Sequence, residues 1–322
     1  MAPRISVVIP TYKRPDLLAR CLSAVLRQGL ERDAYEVIVV DDGRDETTRR
    51  VVEAMAAERD APTLRYTVPH GTRGPAGARN AGWRCARGAL IAFTDDDTVP
   101  EPDWLAEGER AAQRRIAVCG RVIVPPLSEP PTDHELMTRG LESAEFVTAN
   151  AFVWRDAMER VGGFDERFTR AWREDSDLQF RLSRLGEVAR IDAAAVLHPV
   201  RPERWGVCLR QQRNTFFDAL LYKKHPQLYR ERIRRVPPWN YYLVVGLVPA
   251  AAVLGWAGQV ASALAALGIA GLLVLQLAWK RLRKTSHRPS HVAEMLATSA
   301  LIPFLSVYWR LRGAWRWRVL FL

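Results

Sequence analysis

Two acidic clusters stand out by residue type and spacing. Asp95-Asp96-Asp97 follows the apolar run Ala89–Thr94 and precedes Thr98-Val99-Pro100. Three adjacent carboxylates repel one another and call either for open solvent or for a cation. At the end of a central strand a cation makes better chemical sense. Hard oxygen ligands suit Mg2+ or Mn2+, which bridge to a diphosphate. A solvated acidic turn is the plainer alternative. The second cluster, Glu174-Asp175-Ser176-Asp177, opens a helical pattern. Acids in a first turn meet the helix dipole favourably, which would account for them without any function. The chemical reading is that one carboxylate serves as general base toward an acceptor hydroxyl.

Such clusters need elements to position them. Ile5–Ile9 is apolar and β-branched and stops at Pro10. Leu18, Cys21, Leu22, Val25 and Leu26 recur at helical spacing, with Gly29 as the expected C-cap. Glu36–Val40 predicts a second strand that ends in Asp41-Asp42-Gly43, followed by a helix over 45–59 and a strand over 64–68. Residues 76–87 predict a helix and 89–94 a fourth strand. Further on, 116–124 predicts a strand, 125–145 a Pro-rich acidic loop, 149–154 renewed order, 174–186 a helix and 188–196 a strand. This alternation predicts an α/β fold, a mostly parallel sheet with helices on both faces. Ligands of such sheets gather beyond the carboxyl ends of the strands, where Pro10, Asp42 and Asp97 fall.

The chain has 322 residues, enough for about two domains and for a core that needs no disulfide or metal staple. With 48% apolar and 26% charged residues it is neither disordered, nor collagenous, nor a small disulfide scaffold. Cys21, Cys85, Cys119 and Cys208 form no CxxC and read as reduced, mostly buried thiols. The short run Ile5–Pro10 is no secretory h-region, so the main domain is expected in the cytosol. The net charge of +11 is unevenly placed. Residues 1–227 hold 34 basic and 34 acidic residues, whereas 228–322 hold 13 basic residues against Glu231 and Glu294. A uniform nucleic-acid-binding surface is therefore excluded. Basic residues beside apolar runs point to anionic lipid headgroups.

Between Arg235 and Lys280 lie 44 residues without one charge. Residues 241–257 and 260–279 are each long enough for a membrane span, joined at Gly258-Gln259. A re-entrant hairpin and a buried soluble pair are the alternatives. Trp239, Tyr241, Tyr242 and Trp279 sit where interfacial aromatics belong, and arginines and lysines flank the run on both sides. The positive-inside rule places both flanks in the cytosol. Residues 293–309 are short, contain Pro303 and lead into Arg310, Arg312, Arg316 and Arg318. An interfacial helix is expected there, with a third span as the alternative. The expected division is 1–227 for chemistry and 228–322 for the membrane.

The motifs together resemble the family 2 glycosyltransferases with the GT-A fold. The opening strand Ile5–Arg14, Val39-Val40-Asp41-Asp42-Gly43, Ala78-Arg79-Asn80-Ala81-Gly82, Phe93-Thr94-Asp95-Asp96-Asp97 and Gly162-Gly163-Phe164-Asp165 with Glu174-Asp175 stand in that family's order. The resemblance covers about residues 4–200. It implies a nucleotide-sugar donor, an Mn2+ or Mg2+ cofactor and an inverting displacement. By the same resemblance Pro10 and Tyr12 would line the nucleobase pocket with Asp42 accepting a base N–H, Thr11 and Arg14 would be further donor-binding residues, and Arg79 and Asn80 would order the nucleotide loop or touch ribose and phosphate. Asp95 would face the sugar or ribose and Asp97 hold the metal, with Asp96 sharing either role. His198 would be a further metal ligand. Asp175 would be the base and Glu174 its positioning partner, while Trp172, Arg173 and Arg201 would meet the acceptor or a phosphate.

Processive members carry Gln-x-x-Arg-Trp after the base helix. The segment Leu209–Asn214 does not supply it, which argues for addition of one sugar. The apolar tail suggests a lipid-linked or glycan acceptor at the cytoplasmic membrane. Competing readings are a polyprenyl-phosphate glycosyltransferase, a nucleotidyltransferase on a similar sheet, and a membrane-anchored scaffold without catalysis. The stretch 70–77 is Gly-rich but is neither Walker A nor GxGxxG.

Overall fold

The structure is a computed structural model that describes residues 2–58 and 61–322. In chain order the elements are β1 (Ile5–Thr11), α1 (Pro15–Val25), β2 (Tyr35–Asp41), α2 (Glu46–Ala56), β3 (Thr63–Thr67), α3 (Pro75–Cys85), β4 (Leu90–Thr94) and β5 (Val99–Pro100). Then come α4 (Trp104–Ala112), β6 (Ala117–Ile123), α5 (Asp133–Thr138), β7 (Asn150–Trp154), α6 (Arg155–Val161), α7 (Glu174–Leu182) and β8 (Val188–Leu197). The remainder is helical: α8 (Val207–Gln211), α9 (Thr215–Lys224), α10 (Pro226–Leu228), α11 (Trp239–Trp256), α12 (Val260–Leu282) and α13 (Pro289–Trp317). The chain forms two compact units, Met1–Pro125 with Arg139–Val200 and Pro126–Thr138 with Arg201–Leu322.

The first unit is built on one eight-stranded sheet of order β3-β2-β1-β4-β7-β6-β8-β5. Strands β3, β2, β1 and β4 run parallel, as do β6 and β8. Strand β7 is antiparallel to both β4 and β6, and the two-residue β5 is antiparallel to β8. The α/β fold expected from the sequence is present, while the sheet, expected to be mostly parallel, is mixed because β7 and β5 run antiparallel to their neighbours. Strands covered on both faces read as continuous apolar runs, and β1 and β2 do so. Val7, Val8, Val37 and Val39 are all fully buried. Helix α3 lies close on these strands because residue 82 has no side chain: a Cβ there would land on Val8 and Val40.

One buried charge interrupts β2. Glu36 is fully buried and accepts from Ser6 Oγ at 2.7 Å, from Arg87 N at 2.7 Å and from Arg87 Nε at 2.9 Å. Burial alone would raise its pKa. The hydrogen bonds from Arg87 and Ser6 outweigh that and hold it below the usual carboxylate range.

Several sequence expectations shift. Helix α1 ends at Val25, so Gly29 is no helix cap; its N–H bonds Pro102 O at 3.0 Å. Helix α2 starts after Asp45, whose carboxylate caps it through Thr48 N, and ends at Ala56; Arg59 lies outside the described residues. The stretch 125–145 is not an irregular loop. It contains α5 and a 3-10 turn, Arg139–Ser143. Glu135 is buried and accepts hydrogen bonds from Leu127 N, Ser128 N, Ser128 Oγ and Thr132 N. One carboxylate of α5 thereby holds the turn over 127–132.

In the second unit three helices are long and apolar enough to cross a membrane. Helices α11 and α12 bury only 11% and 17% of their most apolar windows, whereas α13 buries 39%. Helix α13 is also longer than the sequence suggested. Its start is tied to the end of α12, where Arg281 donates to Thr298 Oγ1 and Ser299 Oγ. Its far half packs on α9: Gly313 lies against Phe216 and Ala219, Trp317 stacks near Phe216 at 5.5 Å, and Lys223 Nζ reaches Trp317 O at 2.7 Å.

Replacing Glu36 by Gln removes a fully buried, multiply bonded charge. We expect a loss of about 2 kcal/mol at neutral pH. A carboxylate with a depressed folded pKa stabilises above its unfolded pKa, and that stability disappears as pH falls through the folded value. The Tm gap between wild type and Glu36→Gln, read by tryptophan fluorescence in detergent, should therefore be largest above pH 5 and close at lower pH.

Candidate active site

The carboxyl end of β4 is where the first acidic cluster is shaped. Thr98 Oγ1 donates to Asp95 O at 2.9 Å, Thr94 and Thr98 share a hydroxyl hydrogen bond of 2.6 Å, and Thr94 Oγ1 reaches Ala149 O. This small hydroxyl frame fixes the turn and sends the three aspartates different ways. Asp96 turns inward, accepting from Thr11 Oγ1 at 2.8 Å and from Arg14 Nη1 at 3.3 Å. Burial, then the neighbouring Asp97 charge, push it up to about 6. Asp95 and Asp97 turn toward His198, just past β8. Each of the three offers a ligand atom, all within 4.8 Å of one another. His198 Nε2 lies 3.6 Å from Asp97 Oδ1, while its Nδ1 is enclosed without a hydrogen-bond partner. Two carboxylates and an imidazole fit Mn2+ or a similar divalent ion.

The second acidic cluster joins the first through one side chain. Arg79 is 3% exposed, donates from Nη2 to Asp95 Oδ1 at 2.7 Å, and donates from Nη1 to Glu174 Oε1 at 3.1 Å. Glu174 is buried, with Oε2 enclosed and unpartnered. Burial, then the Asp175 charge, push Glu174 up to about 8. Asp175 is half-buried and accepts from Ser176 N at 2.6 Å; burial raises its pKa as well. A carboxylate more basic than usual, reachable from solvent and backed by a buried partner, is suited to accept a proton.

Other residues hold this line in place. Asn80 is fully buried and spends both amide atoms on the protein: Nδ2 donates to Phe164 O and Glu166 Oε1, and Oδ1 accepts from Phe164 N and Trp83 Nε1. It therefore anchors the Gly-Gly-Phe-Asp turn and has no polar atom left for a ligand. Residue 163 must be Gly there, because its φ is +73° and a Cβ would sit 2.5 Å from Asn80 Oδ1. Arg181 ties the turn to α7, donating to Gly163 O at 2.6 Å and to Val161 O at 2.8 Å while paired with Asp177. The sequence reading missed Arg181 and Glu166. Only the Asp177–Arg181 helical spacing could have signalled the first.

Asp41 and Asp42 divide their work. Asp41 accepts from Gly43 N, Asp45 N and Tyr66 Oη. Asp42 Oδ2 accepts from Gly74 N at 2.9 Å, and its Oδ1 is enclosed without a partner. Pro10 lies inside β1, paired with Val40, and not past its end. Tyr12 follows with 52% of its surface exposed. Arg173, at φ +73° just before α7, stacks its guanidinium on Trp172 at 4.6 Å. Arg201 belongs to the second unit, where its carbonyl meets His134 Nε2 at 3.1 Å. A separate depression at the opposite ends of the strands, lined by Arg114, Arg155, Glu159 and Glu187, lies apart from this acidic line.

The family models agree with the geometry. Glycosyl transferase family 2 matches residues 6–165, and glycosyl transferase family group 2 matches residues 90–280. The chain belongs to the family 2 glycosyltransferases. Among curated relatives of this family 2 member, glycosyltransferase AglE of Haloferax volcanii is 34% identical over 106 residues, 33% of this chain and 34% of that one. Validoxylamine A glucosyltransferase of Streptomyces hygroscopicus subsp. jinggangensis is 29% identical over 245 residues, 64% of this chain and 55% of that one. The chain thus spans between a third and a little over half of these relatives. In structure it is similar to a mannosyltransferase from Pyrobaculum calidifontis in complex with GDP-Man and Mn2+, with a TM-score of 0.60 and 19% identity over 98% of this chain and 88% of that one. At that identity the likeness establishes the GT-A fold.

If Asp95, Asp97 and His198 hold a divalent ion, Asp97→Ala and His198→Ala should each weaken Mn2+ binding at least ten-fold in calorimetric titrations with UDP or GDP present. Asp96→Asn should instead lower Tm, because its partners are Thr11 and Arg14. An unchanged Mn2+ titration for His198→Ala removes that residue from the ligand set.

Proposed function

We propose that this family 2 member is an inverting glycosyltransferase that moves one sugar from a nucleoside-diphosphate-sugar to a hydroxyl of a lipid-linked or glycan acceptor. The observation that carries the reading is the unbroken line from Asp97 and His198 through Asp95 and Arg79 to Glu174 and Asp175 at one rim of the sheet. The named relatives, a glucosyltransferase and a mannosyltransferase bound to GDP-Man and Mn2+, support the reaction class.

Asp95, Asp97 and His198 would hold Mn2+ or Mg2+, which when bound supplies a Lewis acid for the departing diphosphate. The chain's own residues do the rest. Asp42, with one enclosed and unpartnered oxygen, accepts a hydrogen bond from the nucleobase, and exposed Tyr12 offers a face for stacking. Arg79 fixes the spacing between the donor side and the acceptor side and does not itself contact the donor. Asp175 takes the proton of the acceptor hydroxyl as its oxygen forms a bond to the anomeric carbon. The bond to the diphosphate breaks on the opposite face, which inverts the configuration. Glu174 holds Asp175 in a water-poor setting that keeps it basic. Trp172 and Arg173 flank the acceptor side.

The catalytic part is assigned to residues 1–227 and the membrane-associated part to 228–322; α5, α8 and α9, within the first range, belong to the second compact unit. Helices α11 and α12, largely uncovered, cross the bilayer as a hairpin with both basic flanks in the cytosol. Helix α13, tied to the end of α12 and laid on α9, rests in the interface. The catalytic part then faces the cytosol at the cytoplasmic membrane, where a lipid-linked acceptor is presented at the surface.

The test is a panel of UDP- and GDP-sugars with the full chain in detergent, reading nucleoside diphosphate release with and without Mn2+. Release that needs both a sugar nucleotide and the metal is expected; diphosphate as the product points to nucleotidyl transfer. Asp175→Asn should keep UDP or GDP affinity and lose turnover by about 10³-fold. Only ionised Asp175 can accept a proton, so wild-type turnover should fall as pH drops through its pKa, which burial raises. Near-normal turnover in Asp175→Asn would remove Asp175 from the mechanism.

A further inference from the structure

The second unit contains a buried cation that the proposed reaction does not use. Arg310 is 2% exposed, and both Nε and Nη1 are enclosed without a hydrogen-bond partner. Its guanidinium stacks on Phe321 at 4.6 Å. Phe321 packs in turn against Tyr222 at 5.2 Å and Tyr229 at 5.4 Å. Arg230 stacks on Tyr222 at 4.8 Å and also has an enclosed Nη1 without a partner. The charged and phenolic groups within electrostatic reach of Arg310 are Asp218, Arg234, Tyr229 and Tyr242. Tyr242 Oη is enclosed and unpartnered too.

A second arginine in the same unit provides the contrast. Arg281 is fully answered: Asp133 accepts from it at 2.8 Å, and Thr298, Ser299 and Cys208 take its remaining hydrogens. Arg234, Arg281 and Arg310 all lie within electrostatic reach of Tyr241, in the first turn of α11. No carboxylate pairs with Arg310 among the described residues, and Asp218 is the acid nearest to doing so. Charges enclosed without a partner are strongly unfavourable and call for a counter-charge. A guanidinium fork and a phenol are donors matched to a phosphate.

We propose that Arg310, with Arg230, Arg234 and the Tyr242 hydroxyl, binds the phosphate monoester headgroup of a membrane lipid. The surroundings favour a lipid over a free anion. Val236, Trp239 and Leu243, which flank the site in sequence, are all about half exposed or more, and the uncovered faces of α11 and α12 continue the apolar surface beyond them. A headgroup at the first turn of α11 can lay its chains along that surface. The aromatic group of Tyr222, Tyr229 and Phe321 keeps Arg310 in place and excludes water from it. This site is separate from the acidic line on the sheet and does not depend on the glycosyl-transfer reading.

The experiment is calorimetric titration of the full chain in detergent with dioctanoyl phosphatidic acid, dioctanoyl phosphatidylcholine and inorganic phosphate. Phosphatidic acid should bind, phosphatidylcholine should not, and inorganic phosphate should bind at least ten-fold more weakly than the lipid. Arg310→Gln should weaken phosphatidic acid binding at least ten-fold, while Arg312→Gln, on the same helix, should not change it. Tyr242→Phe removes one hydroxyl and keeps the fold's shape, so it should weaken binding several-fold even if Arg310→Gln fails to fold. Equal affinity for inorganic phosphate overturns the lipid assignment. Wild-type affinity in Tyr242→Phe together with a lowered Tm but unchanged binding in Arg310→Gln overturns the site and leaves Arg310 a packing residue.

Discussion

A single buried guanidinium organises the chemistry of this protein. Arg79 lies between Asp95 and Glu174, which come from opposite halves of the first unit's chain. Without it, four carboxylates at one rim of the sheet would repel one another and separate. With it, the Asp95–Asp97 cluster and the Glu174–Asp175 pair are held at a set spacing. Removing one partner of such a buried pair typically costs about 3–5 kcal/mol, because the other charge is then stranded. The arginine is thus a structural condition of the site and a determinant of its geometry at once.

The scaffold around it follows from ordinary sheet physics. The parallel strands β1, β2 and β4, buried on both faces, supply a rigid floor, and polar residues collect where those strands end. The antiparallel β7 inserted between β4 and β6 places Asn150 opposite Thr94 in the register. It thereby brings Ala149 O to the hydroxyl frame that shapes the Asp95–Asp97 turn. Asn80 and Arg181 then fasten the Gly-Gly-Phe-Asp turn to α3 and α7, so the Glu174–Asp175 pair inherits its position from two helices.

Much of this was legible in the sequence, for identifiable reasons. Strands β1 and β2 are dense β-branched runs and β4 is an apolar one, and their ends carry acids that a simple sheet does not require. Which of the three consecutive aspartates faces His198 was not legible, because the outcome depends on Thr11 and Arg14 drawing Asp96 inward from another strand. The bridging role of Arg79 was hidden for the same reason: both its partners are remote in sequence. The stretch 125–145 reads as a loop by composition, since nothing local announces that Glu135 can gather four hydrogen bonds. Helix α13 was underestimated because Pro303 interrupts its pattern, and its support comes from aromatic residues of α9.

The charge-free part of α12 carries a consequence for where the molecule can reside. From Val260 to Trp279 it holds 20 residues, about 30 Å of helix at the usual rise. Trp256 at the hairpin tip and Trp279 near the other end are both strongly exposed, at 91% and 67%. Such a pair acts as a ruler. On the proposed reading that α12 crosses a bilayer, its length fits an ordinary hydrocarbon thickness with little need for tilt, and a markedly thicker membrane would have to thin around it.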